Sequence, residues 1–280
     1  MNHTFFRFKI NIGKLIRATF LLAVISLFLW MFIRIFIADY FSVNTHSMYP
    51  TIKPGSTIVV NKLIFGGRIY TKFDFESEEL NSFRVKGLRK IRVNDIVVFN
   101  YPFDDKYTRI RFKINYVYVK RIAGVPGDTI SIRSGFYKNN NYQGVIGFLD
   151  NQSRLFDVYS DSLLPRKSNR IFSYYKNSYG WSELNFGPLY VPRKGDSIKL
   201  DQSNYSLYKL IIEHETGKIF SEDTEYLYLG GNRISEYIFK GNYYFVAGDN
   251  VSNSIDSRQF GFVPEAYIIG VVKWILPHNR

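Results

Sequence analysis

The chain has 280 residues, a formal net charge of +13 and no cysteine. Absent thiols exclude disulfides, thiolate metal sites and a cysteine nucleophile together, so stability has to come from packing. So basic a balance calls for an anionic partner, and because the sequence carries no nucleic-acid-binding motif that partner is expected to be anionic lipid headgroups, with no role for nucleic acid.

Residues Ala18 to Ile33 carry no charge. Continuing past Arg34 to Ile37 predicts a transmembrane helix over 18–37, about 30 Å long at roughly 1.5 Å per residue. Arg34 then sits near the interface and snorkels along its aliphatic stem. Arg7, Lys9, Lys14 and Arg17 precede this run with no acid among them, which places residues 1–17 in the cytoplasm and everything beyond about residue 40 outside. A cleavable signal peptide is the competing reading. Its apolar core would span only roughly 7 to 15 residues, and no small-x-small site follows this longer one.

Beyond the anchor the pattern is mainly β. Runs rich in β-branched and aromatic residues at Ser56–Ile64, Ile91–Asn100, Ile114–Ile122, Thr129–Arg133, Tyr243–Ala247 and Ile268–Ile275 read as strands. The 22 Tyr and 25 Phe suit pleated, half-buried surfaces. Thr71–Lys90 is charge-rich and reads as a long solvated hairpin or loop. A helix is expected over Asn204–Glu215, with Tyr208, Ile211 and Ile212 on one face and a cap at Asp201, Ser203 or Asn204. Polar stretches at 139–141 and 166–169 mark loops within a β-rich segment, 134–242, that contains this short helix. It reads as a large insertion between two halves, 38–133 and 243–280, of a catalytic β domain.

Two residues stand in contexts suited to chemistry. Ser47 lies about ten residues past the apolar run, and Pro50 behind it ends any ladder or helix, so the serine falls at a turn. Taken alone it reads as an ordinary turn serine. Lys120 sits in Tyr116-Val117-Tyr118-Val119-Lys120-Arg121, where a two-residue period puts the ammonium on the face of Tyr116 and Tyr118. Taken alone it reads as an edge-strand lysine reaching water.

Four stretches occur in order: Ser47-Met48-Tyr49-Pro50-Thr51-Ile52; Asn94-Asp95-Ile96-Val97-Val98-Phe99 with Pro102; Tyr118-Val119-Lys120-Arg121 with Gly124, Pro126-Gly127-Asp128 and Ile130; and Gly248-Asp249-Asn250 with Asn253-Ser254, Asp256-Ser257-Arg258, Gly261 and Val263-Pro264. Together they resemble the ordered boxes of bacterial type I signal peptidases, a serine-lysine dyad family. The last two are the most specific. The direct match covers roughly 45 residues, with the segment 134–242 matched only loosely.

The resemblance implies a mostly β fold with its groove close to the membrane, Ser47 as nucleophile and Lys120 as general base. It further implies an oxyanion hole from the Ser47 amide and Thr45 hydroxyl, and a Ser254 hydroxyl that orients the lysine. Val43, Met48, Tyr118 and Val119 align with pocket-lining positions. Arg121, Asp249, Asp256 and Arg258 are expected to be structural, with Arg121 partnering Asp249. No cofactor and no metal are implied. The expected substrates are signal-peptide-bearing preproteins at the bacterial cytoplasmic membrane. Physics sets one condition: a lysine with the usual pKa near 10.4 is under about 1% neutral at pH 8, so burial must supply the base.

Relatives commonly carry Pro-Ser-Gly before the serine, where this chain has Asn44-Thr45-His46. His46 invites a Ser-His reading, but adjacent residues on an extended chain point apart. Other readings are a specialised peptidase of one secretion or conjugation system, an inactive membrane-tethered paralogue, and a self-cleaving repressor, for which a DNA-binding domain is missing.

Overall fold

The computed structural model describes residues 12–72, 74, 76–104, 108–160 and 179–277. Arg7 and Lys9 of the basic N-terminus, and the loop expected at 166–169, lie outside the described residues. Helix α1 (Ile12–Phe32) runs on through a π-helical turn, Ile33–Ile37, giving 26 residues with no buried side chain. At about 1.5 Å per residue the whole is roughly 39 Å long. It starts earlier than the uncharged run because Lys14 and Arg17 are good helix formers. Arg34 does not extend alone: it donates to Asp39 Oδ1 from Nε at 3.0 Å, and Lys62 Nζ donates to both Asp39 Oδ2 (3.0 Å) and the Arg34 carbonyl (2.6 Å).

Strands β1 (Ala38–Val43) and β2 (Ser56–Asn61) follow, then the hairpin of β3 (Arg68–Tyr70) and β4 (Ser82–Arg84), β5 (Ile96–Asn100) and β6 (Val117–Gly124). The middle of the chain holds β7 (Thr129–Arg133), β8 (Phe136–Asn139), α2 (Leu149–Ser160), β9 (Phe186–Tyr190), β10 (Ser197–Lys199), α3 (Tyr205–Thr216), β11 (Phe220–Glu222), β12 (Leu227–Leu229), β13 (Asn232–Ile234) and β14 (Glu236–Ile238). The chain returns through β15 (Tyr243–Ala247), the single-turn α4 (Ser257–Phe260), β16 (Val263–Pro264) and β17 (Ile268–Leu276). The fold is mainly β. Its largest sheet among the described residues runs in the order β1, β2, β17, β5, β6, β15, β16.

Both faces of that sheet are covered, which explains continuous apolar runs in place of clean alternation. Along β5, Val97 and Phe99 enter a large core while Val98 enters a smaller one with Val43, Met48, Ile52, Ile58, Val60 and Val119. All five residues of β15 are buried. Phe186, Leu189, Ile211 and Phe239 from the middle of the chain belong to the same large core as Ile122 and Phe245, so that segment shares a hydrophobic interior with the central strands. Each fully buried side chain of this size contributes about 1.5–3 kcal/mol.

Strands β7 and β15 coincide with their expected ranges. Strand β5 begins five residues later than the apolar run, because Asn94 adopts φ 71° in a turn closed by Asp95 N–H on the Arg92 carbonyl. Helix α3 follows Asn204 as expected, buries Leu207, Tyr208, Leu210, Ile211 and Ile212, and ends at Gly217 in the left-handed region (φ 67°). The middle segment thus holds two twelve-residue helices, α2 and α3, where one short helix was expected.

Candidate active site

Ser47 follows β1 in a tight turn, closed by the Tyr49 N–H on the His46 carbonyl (3.1 Å) and the Ile52 N–H on the Met48 carbonyl (2.9 Å). Met48 and Ile52 are fully buried and pin this turn into the smaller core. Lys120 is 3% exposed at the middle of β6, which is paired on both sides, by β5 and β15. Its Nζ donates to Ser47 Oγ at 2.6 Å and to the Val119 carbonyl at 3.1 Å. The Tyr118 ring lies 5.5 Å from the amine. Tyr116 lines the same groove as expected, but it is more than half exposed and lies under Lys113.

Burial is the dominant cause that lowers the Lys120 pKa, from 10.5 to about 8; Asp256 and Asp249 pull it back up, and Arg258 pushes it down. An amine with that affinity is about half neutral at pH 8. Thr45 Oγ1 stands 3.4 Å from Ser47 Oγ on the exposed side of the turn.

The third wall is the loop after β15. Asn250 donates its backbone N–H to the Ser47 carbonyl and its Nδ2 to the His46 carbonyl, both at 3.1 Å. Gly248 lets the two segments approach: a Cβ there would lie 2.5 Å from the Ser47 carbonyl oxygen and collide with the Ser254 hydroxyl. Asp249 is gripped by Arg121 through Nε–Oδ1 (2.7 Å) and Nη2–Oδ2 (2.6 Å), with Thr51 donating to Oδ2 at 2.5 Å. Ser254 is buried on the groove wall, yet its Oγ makes no hydrogen bond to Lys120; the side chain instead helps to lower the Asp256 carboxyl.

A serine oxygen, a dry amine and a loop of fixed hydrogen bonds are thus assembled from three distant stretches of chain. A family model described as "Signal peptidase, peptidase S26" matches residues 15–170 and 189–276. The chain belongs to this family. It is 30% identical to the Signal peptidase I of Buchnera aphidicola subsp. Baizongia pistaciae over 252 residues, which covers 88% of this chain and 72% of that protein. The enzyme of that name from B. aphidicola subsp. Schizaphis graminum is 28% identical over 245 residues, covering 88% and 70%. That of subsp. Acyrthosiphon pisum is 29% identical over 279 residues, covering 96% and 78%.

The groove of this peptidase has a volume of about 950 Å³, with Ser47, Lys120 and Ser254 on its wall. Of the expected pocket residues, Val43, Tyr118 and Val119 line it, whereas Met48 lies beneath, fully buried. Phe41, Ile58 and Val98 join the lining without having been anticipated. Asn151, on α2, also escaped notice: its Nδ2 donates to the Tyr49 (3.0 Å) and Asp249 (2.8 Å) carbonyls and so ties the serine turn to the facing loop. A single polar residue in a loosely matched segment gives no periodic or motif signal.

Proposed function

We propose that this family member is a membrane-bound serine endopeptidase that removes signal peptides from exported preproteins, with Ser47 as nucleophile and neutral Lys120 as general base. The observation that carries the reading is the buried 2.6 Å contact between Lys120 Nζ and Ser47 Oγ, made by an amine whose pKa is lowered to about 8. Once Nζ is neutral, the bond reverses and the Ser47 hydroxyl donates to the amine lone pair.

Lys120 takes the Ser47 proton as Oγ attacks the scissile carbonyl carbon. The tetrahedral oxyanion receives the Ser47 N–H and the Thr45 hydroxyl. Collapse breaks the C–N bond, and the Lys120 ammonium returns its proton to the leaving amine. The same amine then deprotonates the water that hydrolyses the acyl-enzyme. Ser254, buried on the groove wall, orients the lysine. Val43, Tyr118 and Val119 receive small side chains of a substrate bound in extended form.

Helix α1 with its π turn spans the bacterial cytoplasmic membrane, the basic N-terminus stays in the cytoplasm, and the β body with its 134–242 insertion lies outside. Ser47 follows the last helical residue by about ten positions, which holds the groove at the height where a membrane-held signal segment ends. Relatives bearing the name Signal peptidase I support the substrate class. The test is cleavage of a preprotein by the detergent-solubilised full chain, compared with Ser47→Ala and Lys120→Ala. Unimpaired cleavage by either variant refutes the dyad.

A further inference from the structure

The middle segment of the chain reaches the site through one side chain. Asn151 stands in the first turn of α2, half-buried, and its Nδ2 makes one hydrogen bond to each of two backbone carbonyls, Tyr49 at 3.0 Å and Asp249 at 2.8 Å. Tyr49 lies two residues beyond Ser47, in the turn that presents the hydroxyl. Asp249 lies between Gly248, which sets how closely the two walls approach, and Asn250, which holds the Ser47 and His46 carbonyls. A single amide therefore spans both walls.

Asn151 is itself held in a frame that leads back to the strand of Lys120. Ahead of α2, the Asn94 side chain accepts from the Gly147 N–H at 3.0 Å and donates to the Val145 carbonyl at 2.8 Å. The Asn94 carbonyl accepts from Arg121 Nη1 at 3.1 Å, and Arg121 follows Lys120 on β6. Gln152, beside Asn151, is buried and bonded to the Tyr137 N–H and the Ile146 carbonyl. The start of α2 is thus a fixed point, and Asn151 holds the two carbonyls at a set separation.

The groove lining and the field at the amine are built from other parts. Val43, Ile58, Val98, Tyr118 and Val119 line the groove from β1, β2, β5 and β6. The Asp249 carboxylate, which acts on Lys120, is gripped by Arg121 and Thr51. Loss of the Asn151 amide leaves these in place and frees the serine turn to shift against the 248–254 loop.

We propose that Asn151 is a positioning residue, which fixes the serine turn against the facing loop and so places the Ser47 hydroxyl and amide on the scissile carbonyl. The segment 134–242 then contributes to the chemical step. This rests on the reading of Ser47 and Lys120 as the dyad.

The test compares the detergent-solubilised full chain with Asn151→Ala, Asn151→Asp and Ser47→Ala on a short fluorogenic peptide with small residues before the cut. Melting curves set an assay temperature at which each variant is folded. Alanine is the best helix former, so Asn151→Ala should keep α2 and lower kcat about 10- to 100-fold, the scale of a displacement near 1 Å. KM should change less than about twofold, and the pH midpoint of kcat/KM should stay at about 8. Asn151→Asp keeps the size but sets an oxygen against each carbonyl, so it should lose at least as much kcat; a packing role alone would tolerate it. Should Asn151→Ala melt below the assay temperature, the isosteric Asn151→Asp carries the same comparison. Parental kcat in a folded variant, a loss carried by KM, or a moved midpoint overturns the positioning role and leaves the dyad standing. Parental cleavage by Ser47→Ala overturns the dyad, and the positioning role with it.

Discussion

Arg258 and Asp256 face each other in near-complete burial, the guanidinium donating to both carboxylate oxygens at 2.8 Å while the Gly248 N–H adds a third bond at 2.9 Å. Burial by itself would raise the Asp256 carboxyl, but the Arg258 charge and the hydrogen bonds outweigh it and hold the group below the usual carboxylate range. The pair therefore fixes the loop opposite Ser47 and balances the field at Lys120, which Asp256 raises and Arg258 lowers.

Breaking this pair has two separable consequences. Arg258→Leu leaves a fully buried carboxylate unpaired, at a cost of about 3–5 kcal/mol, visible as a lower melting temperature in detergent. It also leaves Asp256 uncompensated near Lys120, so the pH–rate profile should move to higher pH. A variant that melts and titrates like the parent contradicts both.

Activity should follow deprotonation of Lys120. With its pKa lowered to about 8, kcat/KM should fall about tenfold per pH unit below that value and level off above it. Stability follows the same group. Its folded pKa lies below the 10.5 of the free side chain, so the unfolded chain holds more protons between pH 8 and 10.5. Stability thus rises across that window and is least below it, by about 3 kcal/mol. Lys120→Met should abolish cleavage yet raise the melting temperature at pH 7, with that gain vanishing by pH 10.5. An inactive variant that is less stable at pH 7 would count against the dry amine.

Thr45 is exposed, and its Oγ1 sits 3.4 Å from Ser47 Oγ, the proposed nucleophile. Thr45→Val preserves shape but deletes the hydroxyl proposed as an oxyanion donor, so kcat should drop roughly 10²–10³-fold. Thr45→Ser should keep most of it. Equal kinetics for the two variants would remove Thr45 from the hole.

Gly248→Ala tests how tightly the two walls meet. The added methyl has no room between Ser254 and the Ser47 carbonyl, so the loop must withdraw. A displacement near 1 Å is enough to cost about 10²-fold in rate, with KM less affected than kcat. Parental turnover would show that the walls yield freely.

Much of this was readable in the residues. The N-terminal run is long and apolar all round, Tyr243–Ala247 is a continuous apolar strand run, and Thr129–Arg133 and the helix after Asn204 carry a strand and a helix period. The β period put Lys120 with Tyr118, and the boxes paired Arg121 with Asp249. Helix α2 escaped because so little of it is apolar: Leu155 is buried, but so is Gln152, whose amide accepts from the Tyr137 N–H and donates to the Ile146 carbonyl, while Leu149 and Val158 are exposed. Tyr116 shares the groove wall with Tyr118 and Lys120 as the period predicts, although it precedes β6 by one residue and is half exposed.

The groove draws Ser47 from before β2, Lys120 from β6 and Gly248 to Ser254 from after β15. In a chain still emerging from synthesis, that lysine is wet and cationic and the serine is an inert alcohol. The proposed dyad therefore exists only once the last-made strands close over the first.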